Sequence, residues 1–351
     1  MDQNKTTLHY ELPTKNCWMH VLHQPKGSFV FSPQFSDGKF HNAASNKPQG
    51  FTWNLFKWMM ARKSSTWQVD RQQEFERFQN FAHEIPQNRP NADLNDWRVW
   101  FVGHATTLIQ IGPYNFLTDP VWAEYAGPKQ GVGPRRACPA GIALEQLPHI
   151  HAVLLSHNHY DHMDITTLTW LHKKFAMPIY TGLGNKTYLP KTWNVVELDW
   201  WQAAHLHGFE IVYTPAQHGS GRGLRDQNMA LWGSFCLKLG SQYGFFAGDT
   251  AYANHFKEIH ARFGAPRFAL LPIGAYEPRN LMQYVHMNPQ EAFKAHMDLH
   301  AQRSIAIHYR TFQLTDESRD APEQALEDSM KNSSKLMNPF YCIHEGRRLS
   351  V

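Results

Sequence analysis

Residues 153–164 read Val-Leu-Leu-Ser-His-Asn-His-Tyr-Asp-His-Met-Asp. The apolar run Ala152 to Leu155 has the length and composition of a buried strand. Just behind Ser156, the next six positions supply His157, His159, Asp161 and His162. Two histidines at i and i+2 project to the same side of an extended chain, so both can reach one metal ion. Asp161 and His162 fall where the chain turns and can face a second ion beside the first. Imidazole and carboxylate are donors that a borderline divalent cation such as zinc takes. The competing reading is a solvated, histidine-rich turn. Four ligand-type residues packed directly behind a strand weigh against it.

Three further candidates stand just beyond apolar strands. His218 follows 211–217, Asp249 follows 245–248, and His308 follows 305–307. A lone histidine after a strand is more often structural, but the 157–162 cluster demands partners. The seven residues sort into two sites. His157, His159 and His218 hold the first ion; Asp161, His162 and His308 hold the second; Asp249 bridges. Two ions held in this way sit about 3.5–4 Å apart and activate a shared water at neutral pH. Asp119 ends the strand Phe-Leu-Thr-Asp at 116–119. It is placed behind the ligands, where it can hydrogen-bond the ligand turn and fix an imidazole.

The rest of the chain alternates strand and helix patterns. Strands are expected at 98–101, 107–111, 116–120, 177–182, 195–198, 210–214, 234–238, 243–247, 268–273 and 304–308. Helices are expected at 165–175, 255–263 and 289–299. This order, with hairpins mixed in, is that of an α/β protein with mixed sheets. Residues 121–148 form a long loop punctuated by glycine and proline, and such loops are usually functional. Its Arg135-Arg136 pair could meet an anionic group or form a solvated corner.

Upstream, residues 1–50 carry Pro13, Pro25, Pro33 and Pro48 with little periodicity and are expected to wrap the surface or to be partly mobile. Residues 51–62 read as a helix whose stripe Phe51, Leu55, Trp58 and Met59 is widened by Phe56 and Met60. That stripe suits packing on the core or lying on a lipid interface. Residues 70–84 look like a second, polar helix. The division is therefore an N-terminal extension, 1–95, and a catalytic domain, 96–345.

Composition bounds the partners. Lys plus Arg is 34 against 30 for Asp plus Glu, and a net charge of +4 gives no argument for nucleic acid. Cys17, Cys138, Cys236 and Cys342 include no Cys-x-x-Cys pair and read as free thiols of a reducing compartment. No secretory signal and no run of eighteen apolar residues is visible. The expected location is cytoplasmic, with any membrane contact peripheral; a homodimer is left open.

Longer stretches match one family in order. They are Ser-His-Asn-His-Tyr-Asp-His-Met-Asp at 156–164, Glu-Leu-Asp-Trp-Trp at 197–201 and Thr-Pro-Ala-Gln-His at 214–218. Phe-Phe-Ala-Gly-Asp-Thr-Ala-Tyr at 245–252, Pro-Ile-Gly-Ala-Tyr-Glu-Pro-Arg at 272–279, and segments 282–291 and 306–312 continue the match. Together they resemble the N-acyl-phosphatidylethanolamine-hydrolysing phospholipase D family of the metallo-β-lactamase superfamily. The resemblance implies an αββα sandwich and a phosphodiesterase with two zinc ions. Its substrate would be a phospholipid, cut to an N-acylethanolamine and phosphatidic acid. The same donors also accept iron or manganese. All seven proposed ligands carry over. The glycine-rich segment 219–225 departs from the family pattern, and the helix at 51–62 is only loosely similar.

Around this centre, Asp161 could orient the attacking water as well as ligate, and His286 could hydrogen-bond the phosphate or assist the leaving group. Tyr160 and Tyr276 could line the pocket, and the aromatics of the 51–60 helix, with Trp122, could wall an apolar groove. His104, after the first strand, could stand near the site or cap a turn. A lactonase or another small-molecule phosphoesterase remains the alternative hydrolase. A membrane-associated metal-binding scaffold or a redox di-iron protein is the alternative of another class. In the redox relatives Glu replaces the second histidine of the motif, which here is His159.

Overall fold

The two faces of strand Ala152–Leu155 divide the molecule. Ala152 and Leu154 point into one core cluster with Phe116, Ile211, Phe235, Phe245 and Leu270. Val153 and Leu155 point into a second, with Leu117, Leu168 and Leu171. A strand buried on both faces reads as a continuous apolar run, which is why no polar residue interrupts 152–155. Each such large apolar side chain withdrawn from water stabilises the fold by roughly 1.5–3 kcal/mol. The computed structural model describes residues 8–11, 18–21, 32–43, 51–61, 67–80, 84–333 and 338–351.

The first cluster fills the space between two sheets. A seven-stranded sheet runs in the order Val195–Leu198, Ile179–Gly182, Ala152–Leu155, Tyr114–Thr118, Thr106–Ile111, Trp97–Gly103 and Arg348–Ser350. The facing sheet has nine strands among the described residues. Its order is Phe340–Tyr341, Ser304–Ile307, Phe268–Pro272, Gln242–Phe246, Ser234–Leu239, Phe209–Thr214, Ala203–Leu206, Leu8–Glu11 and Trp18–Val21. Helix Ile165–Phe175 covers the far face of the first sheet through Leu168 and Leu171. Helices His255–Phe263 and Pro289–Leu299 pack on the second through Phe256, Ile259, Ala292 and Leu299. The expected αββα sandwich with mixed sheets is thus the observed architecture.

Strand direction decides where the polar residues meet. In the second sheet Phe209–Thr214 and Gln242–Phe246 are both antiparallel to Ser234–Leu239 and so run the same way. Phe268–Pro272 and Ser304–Ile307 run parallel to them. In the first sheet Trp97–Gly103, Tyr114–Thr118 and Ala152–Leu155 likewise share one direction. The carboxyl ends of these strands therefore lie on common edges, and His104, Asp119, His157, His218, Asp249 and His308 all follow such ends.

Several elements differ from the sequence pattern. Strand Arg348–Ser350 lies beyond residue 345 and pairs with Trp97–Gly103, so the chain past 345 belongs to the sheet. Helix α1 spans Phe51–Ala61 and helix α2 spans Arg71–Asn80. The second is shorter than the 70–84 pattern: Asp70 accepts from the Gln73 amide at 3.1 Å, starting the helix there, and residues 81–83 lie outside those described. Of the α1 stripe, Phe51, Leu55, Phe56 and Met59 have side chains outside the described set, whereas Met60 is 73% exposed and Trp58 half-buried. Cys138, Cys236 and Cys342 are free thiols; Cys17 lies outside the described residues. Among the described residues no helix is long and apolar enough to cross a membrane.

Candidate metal centre

The turn at 157–162 is fixed from behind before any ligand is considered. Asp119 accepts from the Ser156 amide at 2.7 Å, from the Ser156 hydroxyl at 2.5 Å and from His162 Nδ1 at 2.6 Å. The Ser156 hydroxyl in turn accepts from His157 Nδ1 at 2.9 Å. His218 Nδ1 donates to the Val285 carbonyl at 2.8 Å. With each Nδ1 hydrogen committed outward, Nε2 of His157, His162 and His218 is left to face the centre. Asp164 caps the helix Ile165–Phe175 by accepting from the Thr166 and Thr167 amides, which stops the turn from fraying. Gly248 sits at φ +58° one residue before Asp249, and a Cβ there would come within 2.6 Å of the Ser156 Cβ.

Two groups of ligand atoms result. His157 Nε2 lies 2.8 Å from His159 Nδ1, which lies 3.2 Å from His218 Nε2. Asp161 Oδ2 lies 3.3 Å from both His162 Nε2 and His308 Nε2. Asp249 stands between the groups, its Oδ2 3.2 Å from His162 Nε2 and 3.6 Å from His218 Nε2, its Oδ1 3.1 Å from His308 Nε2. All seven residues are thus brought together. His162 Nε2 is buried and hydrogen-bonds to neither neighbouring carboxylate. Burial pushes His157 and His218 well below the ordinary imidazole value, so their facing nitrogens are lone pairs. Converging lone pairs and carboxylates repel unless a cation lies among them. The donor set therefore fits divalent metal. Burial opposes the charge on Asp161 and Asp249, yet the protonated rings of His162 and His308, whose own values these carboxylates raise, hold both carboxyls well below their usual range.

The family model of the β-lactamase superfamily domain matches residues 114–309, which contain all seven of these side chains. The chain belongs to the metallo-β-lactamase superfamily. It is a hydrolase of that superfamily with a centre able to hold metal. An uncharacterised protein of Mycobacterium bovis is 38% identical over 256 residues, 70% of this chain and 68% of that protein. N-acyl-phosphatidylethanolamine-hydrolysing phospholipase D 1 of Caenorhabditis elegans is 32% identical over 276 residues, 74% of this chain and 77% of that protein. A metallo hydrolase from the archaeon Ignicoccus hospitalis shares the fold, with a TM-score of 0.54 at 19% identity over 73% of this chain and 98% of that one.

In this superfamily member a cleft of about 270 Å³ opens onto both ligand groups, touching His159, Asp161, His218 and Asp249. Trp58, Met282, Val285 and Leu314 give it an apolar wall, and His286 stands at its edge, Nδ1 3.9 Å from Asp249 Oδ2. That nitrogen is buried without a partner, and burial lowers the His286 pKa to about 4, leaving a neutral ring. The α1 helix reaches the cleft because Trp58 Nε1 donates to Asp316 at 2.6 Å.

Other expected lining residues lie elsewhere. Tyr160 donates its hydroxyl to the Arg222 carbonyl at 2.8 Å and carries the Arg222 guanidinium 4.0 Å above its ring, away from the cleft lining. Tyr276 does not line the cleft either, and burial raises its pKa to about 12. Trp122 packs in the second core cluster and donates to the Ile142 carbonyl, so it walls no groove here. Arg135 pairs with Glu124, while Arg136 is buried against Phe312 and donates to backbone carbonyls of Val121 and Ala123, so neither is turned to a pocket anion.

Three residues support the centre from outside, and of these the sequence pattern points only to His104. Asn42 brackets the His218 backbone, donating to its carbonyl at 2.9 Å and accepting from its amide at 3.1 Å. Arg222 donates to the carbonyls of Asn158 and Met163, stapling both ends of the ligand turn from the glycine-rich segment. His104 Nε2 lies 2.9 Å from Asp161 Oδ2. Of the two readings open for His104, proximity to the site is the one realised.

Proposed function

We propose that the chain is a dinuclear zinc phosphodiesterase of phospholipase D type, hydrolysing N-acylphosphatidylethanolamine to an N-acylethanolamine and phosphatidic acid. The observation that supports this most is the cleft itself: it joins both ligand groups to an apolar wall of Trp58, Met282, Val285 and Leu314. A polar phosphodiester can sit over the ligands while an acyl chain lies along the wall. The named activity of the nematode relative supports the same substrate.

In this reading His157, His159 and His218 take one ion, Asp161, His162 and His308 the other, and Asp249 both. Bound there, the ions supply a water nucleophile at neutral pH and offset charge on the phosphoryl oxygens. The chain's own residues do the rest. Asp119 keeps the His162 ring aligned through its 2.6 Å hydrogen bond. Asp161 lines the cleft and can orient the attacking water. His286, neutral and at the cleft edge, donates an N–H to a phosphoryl or leaving oxygen. Water adds its oxygen to phosphorus, the P–O bond to the ethanolamine side breaks, and the water proton ends on the released alcohol.

The test measures zinc content and then turnover of N-acylphosphatidylethanolamine vesicles, bis-nitrophenyl phosphate and a set of lactones. The expected result is two zinc per chain, ethanolamide release, and loss of both on chelation with recovery on adding zinc back. His286→Ala should lower kcat while zinc content stays at two. Full diesterase activity in His157→Ala or Asp249→Ala, or hydrolysis confined to lactones, would refute the assignment.

A further inference from the structure

We infer that His104 is a positioning residue whose Nε2–H holds the Asp161 carboxylate in the orientation that the second ion requires. This rests on the two-ion reading above. His104 follows strand Trp97–Gly103, whose pairing shifts register between Phe101 and Gly103. The irregularity turns the next side chain inward. His104 itself takes φ +58° and is 1% exposed. A left-handed backbone at a buried non-glycine residue is strained and persists only where the surroundings over-determine it.

The surroundings do so here. The His104 amide donates to Thr311 Oγ1 at 2.8 Å, and its carbonyl accepts from the His308 amide at 2.8 Å. The ring lies 4.1 Å from the His308 ring and meets Phe312 edge-on at 5.2 Å. His104 Nδ1 is buried without a partner, so the ring hydrogen belongs on Nε2, which has Asp161 Oδ2 at 2.9 Å. That same oxygen is the one 3.3 Å from both His162 and His308. One residue thus ties the backbone of one second-site residue, His308, to the carboxylate of another, Asp161. Carboxylates commonly orient ligating histidines from outside; here a histidine orients a carboxylate.

The experiment compares the full chain with His104→Asn and His104→Gln. Asparagine tolerates the left-handed backbone, but its shorter amide stops short of Asp161. Glutamine places an amide N–H about as far out as Nε2. Metal-free protein is titrated with zinc against a competing chelator, following each binding event by calorimetry. The wild type should bind two ions. His104→Asn should keep the first event unchanged and weaken the second by about 10- to 100-fold, and His104→Gln should recover most of that loss. Wild-type affinity for both ions in His104→Asn would overturn the inference. So would equal weakening of both events, or a glutamine variant no better than asparagine. Fewer than two ions in the wild type would instead defeat the two-ion reading and this inference with it.

Discussion

Replacing Asn42 with alanine tests whether the N-terminal segment is part of the centre. Asn42 makes two hydrogen bonds to the His218 backbone, and its Oδ1 also accepts from Trp232 Nε1 at 2.9 Å. Trp232 keeps a second acceptor, the Ala216 carbonyl at 3.1 Å, so the loss falls on His218. Two hydrogen bonds are worth about 1–3 kcal/mol together. Asn42 is half-buried and water can take up part of that loss, which points to the lower part, about 1–2 kcal/mol. If the loss is felt by the ordered His218, first-site zinc affinity falls about tenfold, since 1.4 kcal/mol is one decade. Urea unfolding of the metal-free protein and zinc titration measure the two shares. Asn42→Asp keeps the acceptor bonds and should fall between wild type and alanine. Unchanged stability together with unchanged zinc affinity in Asn42→Ala would refute the bracket. The same geometry changes how a deletion of residues 1–62 should be read. It removes Asn42 and Trp58 together, so turnover of a short soluble diester should drop along with turnover of vesicles.

Gly248→Ala should lower the unfolding free energy by more than about 1 kcal/mol, because the new Cβ meets Ser156 and the backbone is left-handed; a melting temperature equal to wild type would contradict this. Glu74 and Arg319 form a two-pronged pair at 2.8 and 2.9 Å that ties α2 to the domain. The hydrogen bond from Arg319 holds the Glu74 carboxyl below its ordinary 4.5, so the pair contributes above that pH and fades as pH falls through the lowered value. Glu74→Gln should cost about 1–2 kcal/mol at pH 7, and the gap to wild type in urea unfolding should shrink steadily below pH 4.5; a gap independent of pH would count against the pair. Trp58→Ala removes part of the cleft wall and should raise KM for long-chain substrates more than for short ones at constant zinc content, as read by steady-state assays on an acyl-length series.

The residues that meet were readable because each ligand follows an apolar strand, and strand periodicity is a local signal. What closes the centre from outside was not. Asn42 reaches His218 across 176 positions and His104 reaches Asp161 across 57, and no local period records such pairings. Strand Ala203–Leu206 carries little local signal because His205 breaks a four-residue run, and Arg348–Ser350 because three residues are too few to show a period. Trp122 and Tyr160 carried the right chemistry for a pocket but are claimed by the core and by Arg222, a choice made only in three dimensions.

The shared direction of the site-bearing strands separates holding from choosing. Most of the clustered histidines and carboxylates stand within a few residues of a strand end, in backbone pinned by Asp119, Gly248 and the bent turns. The cleft wall comes from farther along the loops and from α1: Trp58, Asn228, Val285 and Leu314. Loop length and composition can therefore drift without disturbing sheet register. The glycine-rich 219–225 stretch belongs to this rim, where Gly219 and Ser220 line the cleft while Arg222 is delivered to the ligand turn. A scaffold of this kind can acquire new substrates by rewriting its rim alone.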